Sequence, residues 1–365
     1  MNNQHFPKLL SPATLGPLAL ANRMWMAPMT RSRANPDGTP GEHMATYYAQ
    51  RATAGLIVSE ATNISADAVG SPLTPGLFTE AQVHAWQGVT AAVHAAGGRI
   101  FAQLWHTGRV GHSSVRGGTL PVAPSALAIQ GQQHFTGQGM ADYEVPRELS
   151  LAEVRSTIAD FGRAATNAKA AGFDGVELHG AFGYLPNQFL VDGANQRTDE
   201  YGGSVAKRSR FVLEVMQALM GVWDAERVGI KLSPVIPFNG MVDSDPRALF
   251  TYLLGELDSL RPGYVHLMNP LFPLDAFPDW PRDVLGTFGR LTRSPLVANG
   301  GYDALKAEAE LAAGRADFIS FGNPFVANPD LPARFASGAK LAEADRATMY
   351  GGGAHGYIDY PALNA

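Results

Sequence analysis

Eight short apolar runs, each followed by a stretch of helical periodicity, recur along this chain, and no other feature narrows its fold as far. The runs are residues 23–27, 56–59, 99–104, 175–179, 228–232, 264–268, 296–298 and 317–321. Most are short, apolar and rich in β-branched or aromatic residues, as strands covered on both faces must be. Amphipathic stretches fall at 42–53, 80–96, 151–171, 204–222, 246–260, 284–291, 304–313 and 331–337. Alternation of this kind calls for a parallel sheet wrapped by helices. Eight units in 365 residues fit a closed (β/α)8 barrel of the TIM type, a single α/β domain over residues 1–365. The competing architecture is a doubly wound open sheet, against which stands the absence of a Gly-x-Gly-x-x-Gly turn after the first run.

Two segments lie outside the repeat. Residues 9–22 read as a short hairpin that plugs the barrel floor. Residues 110–150, rich in Gly, Gln and Ser, read as an excursion after strand three with hairpin or lid character. Composition closes off several functions. No Cys is present, which removes disulfides, thiolate-held iron–sulfur clusters and thiol nucleophiles together. A net charge of −5 without basic runs argues against nucleic acid. No uncharged apolar stretch is long enough for a membrane span or a signal core, and the start, Met1 to Lys8, is polar; the expectation is a cytoplasmic protein with no membrane partner.

In a barrel of this type the chemistry sits where strands end at the carboxyl face. Strand one ends in Ala27-Pro28-Met29-Thr30, strand two in Ser59-Glu60-Ala61-Thr62, and strand three in Gln103-Leu104-Trp105-His106. Strand four delivers His179 and, five residues later, Tyr184; strand five supplies Lys231. Residue type alone leaves His179 open between a satisfied structural histidine and a base or ligand. Strands seven and eight lead into Asn299-Gly300-Gly301 and Gly322-Asn323. These glycine-bearing loops before helices suit either a phosphate cradle or plain turns. Thr30 and Gln103, taken alone, suit ordinary strand-end hydrogen bonding, and Trp105 simple packing.

Taken together, the motifs resemble a known family. Ala27-Pro28-Met29-Thr30-Arg31, Ser59-Glu60-Ala61-Thr62, Gln103-Leu104-Trp105-His106-x-Gly108-Arg109, His179-x-x-x-Gly183-Tyr184-Leu185-x-x-Gln188-Phe189, Asn195-x-Arg197-x-Asp199-x-Tyr201-Gly202-Gly203-Ser204, Ala327-Asn328-Pro329-Asp330-Leu331 and Gly356-Tyr357-x-Asp359-Tyr360-Pro361 are similar to those of the Old Yellow Enzyme family, in particular its bacterial ene-reductases of the morphinone and nitrate-ester reductase type. The resemblance implies non-covalent FMN in a (β/α)8 barrel, with NADPH or NADH as reductant. The hydride would pass by way of FMN N5 to the β carbon of an electron-poor alkene: an enone, a maleimide, or a nitro compound or nitrate ester in its place. Carried over, Pro28, Met29, Thr30, Ala61, Gln103 and Lys231 would line the flavin, and Asn299, Gly300, Gly301, Gly322 and Asn323 would hold its phosphate. His179 would donate to the substrate carbonyl oxygen and Tyr184 would protonate the α carbon. Trp105 and Tyr357 would shape the substrate pocket beside Thr30, with Tyr357 closing it from the C-terminal segment.

Three positions depart from the family pattern. Phe182 stands where a second His or Asn donor is expected three residues after His179, a helical spacing that would place both on one face. Weak turnover of simple enones is the expectation, since one donor is missing. Asn323 replaces an Arg that grips the phosphate, so FMN is expected to be held less tightly. Ser71 replaces a pocket Tyr. These departures leave room for a second reading, a flavin- or ligand-binding barrel whose catalysis has faded. A metal-dependent hydrolase built on His106, His179 and His266 is a third, although strand ends offer few carboxylates to complete its site.

Overall fold

In a computed structural model, which describes residues 5–363, eight parallel strands close into a barrel. They are Met24–Met26, Leu56–Val58, Ile100–Trp105, Gly175–Gly180, Val228–Leu232, Tyr264–Met268, Leu296–Asn299 and Phe318–Phe321. Each pairs with the next, the eighth returns to the first, and the third meets the fourth without a gap. All eight expected strands are present to within two residues at either end. Met1 to Gln4, part of the polar start, lie outside the described residues.

The helices follow from their caps as much as from their periodicity. Thr79 and Ser150 open Glu80–Ala95 and Leu151–Ala170 with reciprocal capping boxes to Gln82 and Glu153. Ser204, Asp245 and Asp303 cap Val205–Met220, Pro246–Leu260 and Ala304–Ala312. The first helix is shorter than its pattern, Met44–Ala49, and the sixth relaxes from Val284–Phe288 into a 3₁₀ turn, Gly289–Leu291. Leu331–Ser337 matches its expected span. Two helices that periodicity did not reveal, Leu185–Leu190 and Asn323–Ala327, are too short to display a repeat.

Inside the barrel, side chains two apart on each strand form layers. The lowest is apolar: Trp25, Phe101, Tyr264, Val297 and Phe318 pack on Leu15, Leu18 and Leu20. Those leucines come from the expected floor hairpin, Ala13–Leu15 paired antiparallel with Leu18–Leu20. Trp25 lies edge-on to Tyr264, with centroids 4.8 Å apart. Two strands carry glycine at this level because the floor rings fill the space: a Cβ on Gly229 would come within 2.1 Å of the Tyr264 ring, and one on Gly175 within 2.4 Å of Phe101. Gly229→Ala should therefore destabilise the barrel by about 1–3 kcal/mol, read as a lowered thermal midpoint; an unchanged midpoint would show slack in the floor.

The excursion after strand three is also present. Val122–Ala123 pairs in parallel with Arg147–Glu148 at its base, and Gln133–Phe135 with Met140–Asp142 forms an antiparallel hairpin beyond it. Among the described residues, no helix is long and apolar enough to cross a membrane.

Candidate active site

Two residues further along the same inward-facing rows, the apolar floor gives way to polar side chains. Gln103 and Glu177 are opposite each other on strands three and four, and His179, Lys231 and His266 are paired across strands four, five and six. All five are buried. Glu177 accepts from the Gln103 amide at 2.8 Å through one oxygen and meets His266 Nδ1 at 2.8 Å through the other. His266 Nε2 reaches Ser320 Oγ at 2.7 Å, and the Asn299 amide donates to the same hydroxyl at 2.8 Å. One chain of hydrogen bonds thus crosses the barrel through five strands. Burial alone would raise the Glu177 carboxyl, but His266, Lys231 and Gln103 bring it below its ordinary value, so it is held as a carboxylate. Burial also lowers Lys231, to about 8, with Glu177 opposing. The ammonium makes no hydrogen bond to a described residue.

Above this layer three aromatic groups converge. The Tyr184 ring lies 4.8 Å from His179 and 4.9 Å from Trp105, steeply inclined to both. His179 is forced well below its ordinary value by burial and by the neighbouring Lys231 and His266 charges, so the ring is neutral. Its Nδ1 is buried without a partner, and no described residue bonds the other nitrogen. A buried unpaired ring nitrogen is costly unless a ligand uses it. Burial raises the Tyr184 phenol, which therefore stays protonated. Tyr184 is placed by the turn before Leu185–Leu190, which it precedes as N-cap.

Phe182 sits differently from its expected position. The strand runs on through Gly180, so no helical face joins residues 179 and 182, and Phe182 takes a left-handed φ of 57°. Its N–H donates to Ser233 Oγ and its carbonyl accepts from Asn239 Nδ2, both at 2.9 Å. Tyr357 also departs from expectation. It is fully buried, stacked on Tyr47 at 4.1 Å, with the Arg31 and Arg33 guanidinium groups over its ring, so it offers no surface to a pocket. Arg31 and Arg33 donate to carbonyls of Met349, Gly353, Thr348, His355 and Gly356. The residues after Thr30 thereby clamp the C-terminal segment, and Tyr357 packs between the first helix and the loop after strand one instead of closing a pocket.

Of the remaining expected residues, Pro28, Met29 and Thr30 are half-buried at the end of strand one and Ala61 is buried beside strand two. Met29 reaches strand eight, its sulfur 3.2 Å from where a Gly322 Cβ would stand. Ser71 is half-buried next to Gly70, whose carbonyl meets His134 of the excursion hairpin at 2.6 Å. Gly300 and Gly301 have φ of 100° and 74°, conformations that favour glycine. The backbone N–H groups of Gly300, Gly301, Gly322 and Asn323 have no acceptor among the described residues. Asn323 is exposed at the start of its short helix, whereas the Asn299 amide is spent on Ser320.

Sequence reasoning did not single out Glu177, Ser320, Asn239 or Tyr143. Glu177 had a signal, a carboxylate inside an apolar strand two residues before His179; the others carry none. His106 does not join His179 and His266: its Nδ1 accepts from the Gly108 N–H within its own turn. No group of three metal-ligating side chains converges among the described residues.

Comparison with known proteins shows the family and the fold. Residues 8–342 match the model of the NADH:flavin oxidoreductase / NADH oxidase family. The chain is 43% identical to 12-oxophytodienoate reductase 1 of Oryza sativa subsp. japonica, over 97% of this chain and 93% of the relative. It is also 43% identical to chanoclavine-I aldehyde reductase of Penicillium roqueforti, over 97% and 96%. Among solved structures, morphinone reductase in complex with tetrahydroNAD superposes with a TM-score of 0.92 at 48% identity, covering 98% of both chains. The Old Yellow Enzyme homologue of Zymomonas mobilis gives 0.93 at 43%, over 98% of this chain and all of that one.

Proposed function

We propose a function from one premise: the chain belongs to the NADH:flavin oxidoreductase / NADH oxidase family, the Old Yellow Enzymes. It is an FMN-dependent oxidoreductase with a nicotinamide reductant. Its acceptor, in our reading, is an electron-poor alkene such as an enone or a maleimide, or a nitro compound or nitrate ester, with His179 and Tyr184 acting on it. The observation that carries this reading is a neutral imidazole, its Nδ1 without a partner among the described residues, against a protonated phenol and beside a buried cation on the neighbouring strand.

The residues present fit FMN. Among the described residues Lys231 is a buried ammonium without a hydrogen-bond partner, and the N–H groups at Gly300, Gly301, Gly322 and Asn323, which have no acceptor there, suit a phosphate. In this reading Pro28, Met29, Thr30, Ala61 and Gln103 line the ring. Glu177 fixes the Gln103 amide by taking one of its N–H groups, and leaves the second N–H and the carbonyl free. FMN, when bound, would supply the hydride that the β carbon of the alkene accepts. Lys231 places positive charge where the cofactor gathers negative charge. His179 donates to the carbonyl oxygen, where charge develops, and its neutrality makes it a hydrogen-bond donor without making it an acid. Tyr184 hands its proton to the α carbon from the side away from the ring.

Lys231 gives a pH test. In the apoprotein its proton is held below about pH 8 and lost above it. FMN affinity should therefore be greatest below pH 8 and fall as pH rises through that value. Lys231→Met should bind weakly at every pH in the window; an affinity independent of pH in both forms would remove the charge from the account. The function itself is tested by anaerobic titration of the FMN-loaded protein with NADH and with NADPH. The yellow absorbance should bleach with at least one and return on adding cyclohexenone or maleimide. A protein that bleaches but is reoxidised by no electron-poor alkene or nitro compound overturns the acceptor reading.

A further inference from the structure

The turn that replaces a donor with Phe182 also begins a row of aromatic rings leading out of the site. Phe182 lies 6.1 Å from Phe238 at an interplanar angle of 71°, and Phe238 stacks on Phe272 at 5.3 Å and 3°. The three rings come from the loops after strands four, five and six. The inner ring is half-buried against Ala181, Ile236 and Met268, while Phe238 and Phe272 are 39% and 37% exposed, beside Leu271 at 47%.

This row is held in place at a cost. Phe182 and Asn239 both take left-handed conformations, φ 57° and 58°, that non-glycine residues rarely adopt. Asn239 is fixed from several sides: it donates to the Phe182 carbonyl, accepts on its backbone carbonyl from Arg109, and receives Tyr143 of the excursion on its side-chain oxygen. Gly183 is required next to it, because a Cβ there would stand 2.6 Å from Asn239 Cβ. Strain that the surroundings over-determine marks a functional position.

We propose that Phe182, Phe238 and Phe272 form a subsite for a flat aryl group carried by the alkene. This rests on the ene-reductase reading and narrows it to aryl-substituted acceptors. The row is continuous with the His179–Tyr184 turn, so a substrate whose carbonyl meets His179 extends its substituent along the rings. Offset or edge-on packing of one further ring is the geometry such a row offers.

The test is kcat/KM of the FMN-loaded enzyme for N-phenylmaleimide relative to maleimide, in wild type, Phe272→Ala and Phe182→Asn. Asn tolerates a left-handed φ better than Phe does, so the second variant keeps its turn. The ratio should favour the aryl substrate in wild type and fall about fivefold or more in each variant, mainly through KM. An unchanged ratio, with maleimide still reduced, overturns the subsite and leaves the reductase reading intact. If wild type reduces neither compound, the reductase reading falls and takes the subsite with it. A dimer abolished by Phe272→Ala, with the ratio unchanged, gives the patch to a second copy of the chain and overturns the proposal.

Discussion

His179→Ala should lower kcat/KM for cyclohexenone about 100- to 1000-fold, the loss expected on removal of one donor from an oxyanion site. The size follows from what the site holds. Phe182 cannot donate, and its backbone N–H and carbonyl are engaged by Ser233 and Asn239. With no second donor three residues on, the imidazole carries the developing charge without a neighbour to share it. FMN content should be unchanged, because Gln103 is held by Glu177 and the loops proposed to hold the phosphate come from strands seven and eight. Rates on cyclohexenone and the flavin absorbance of the purified variant check both statements. A loss of less than tenfold would move the donor elsewhere.

Tyr184→Phe has the second large effect. Loss of a positioned general acid is expected to cost about 100- to 10,000-fold on enones, whose α carbon must be protonated. Nicotinamide-driven bleaching under argon should persist, since the phenol acts only after the acceptor has bound. The ring would keep its place edge-on to Trp105 and His179, so the variant isolates the hydroxyl. Because burial raises the phenol, the wild-type rate should show no break from Tyr184 near neutral pH. A variant as fast as wild type would assign the proton to another group or to water.

The scaffold of this protein is more legible in its sequence than the site is. The barrel was legible because strands buried on both faces read as short, mostly apolar runs, and because Thr79, Ser150 and Asp303 announce helix starts. The helix Leu185–Leu190 was not, since six residues hold less than two turns. His179, Tyr184 and Trp105 stand in sequence at strand ends, where barrel chemistry is expected, and they do converge. The Glu177–His266–Ser320 chain was hidden because it joins strands four, six and eight, and only closure of the barrel makes them neighbours across its interior. Tyr357 was misplaced for a related reason: its surroundings are Tyr47, Arg31 and Arg33, more than three hundred residues away in sequence. At Phe182 the spacing was read as helical when the strand had one more residue to run, and the left-handed turn that follows makes this residue, which cannot donate, the first ring of an aromatic row.

The central claim places the flavin on one face of the alkene and Tyr184 on the other. Reduction of 2-methylcyclohexenone in D₂O, once with unlabelled nicotinamide and once with nicotinamide deuterated at its transferring C4 position, each product analysed by NMR, tests it most directly. The account predicts solvent deuterium at the α carbon and none at the β carbon in the first product, and in the second one deuterium on each of the two carbons, on opposite faces of the ring. Solvent deuterium at the β carbon in the first, or both deuteria on the same face in the second, would contradict it.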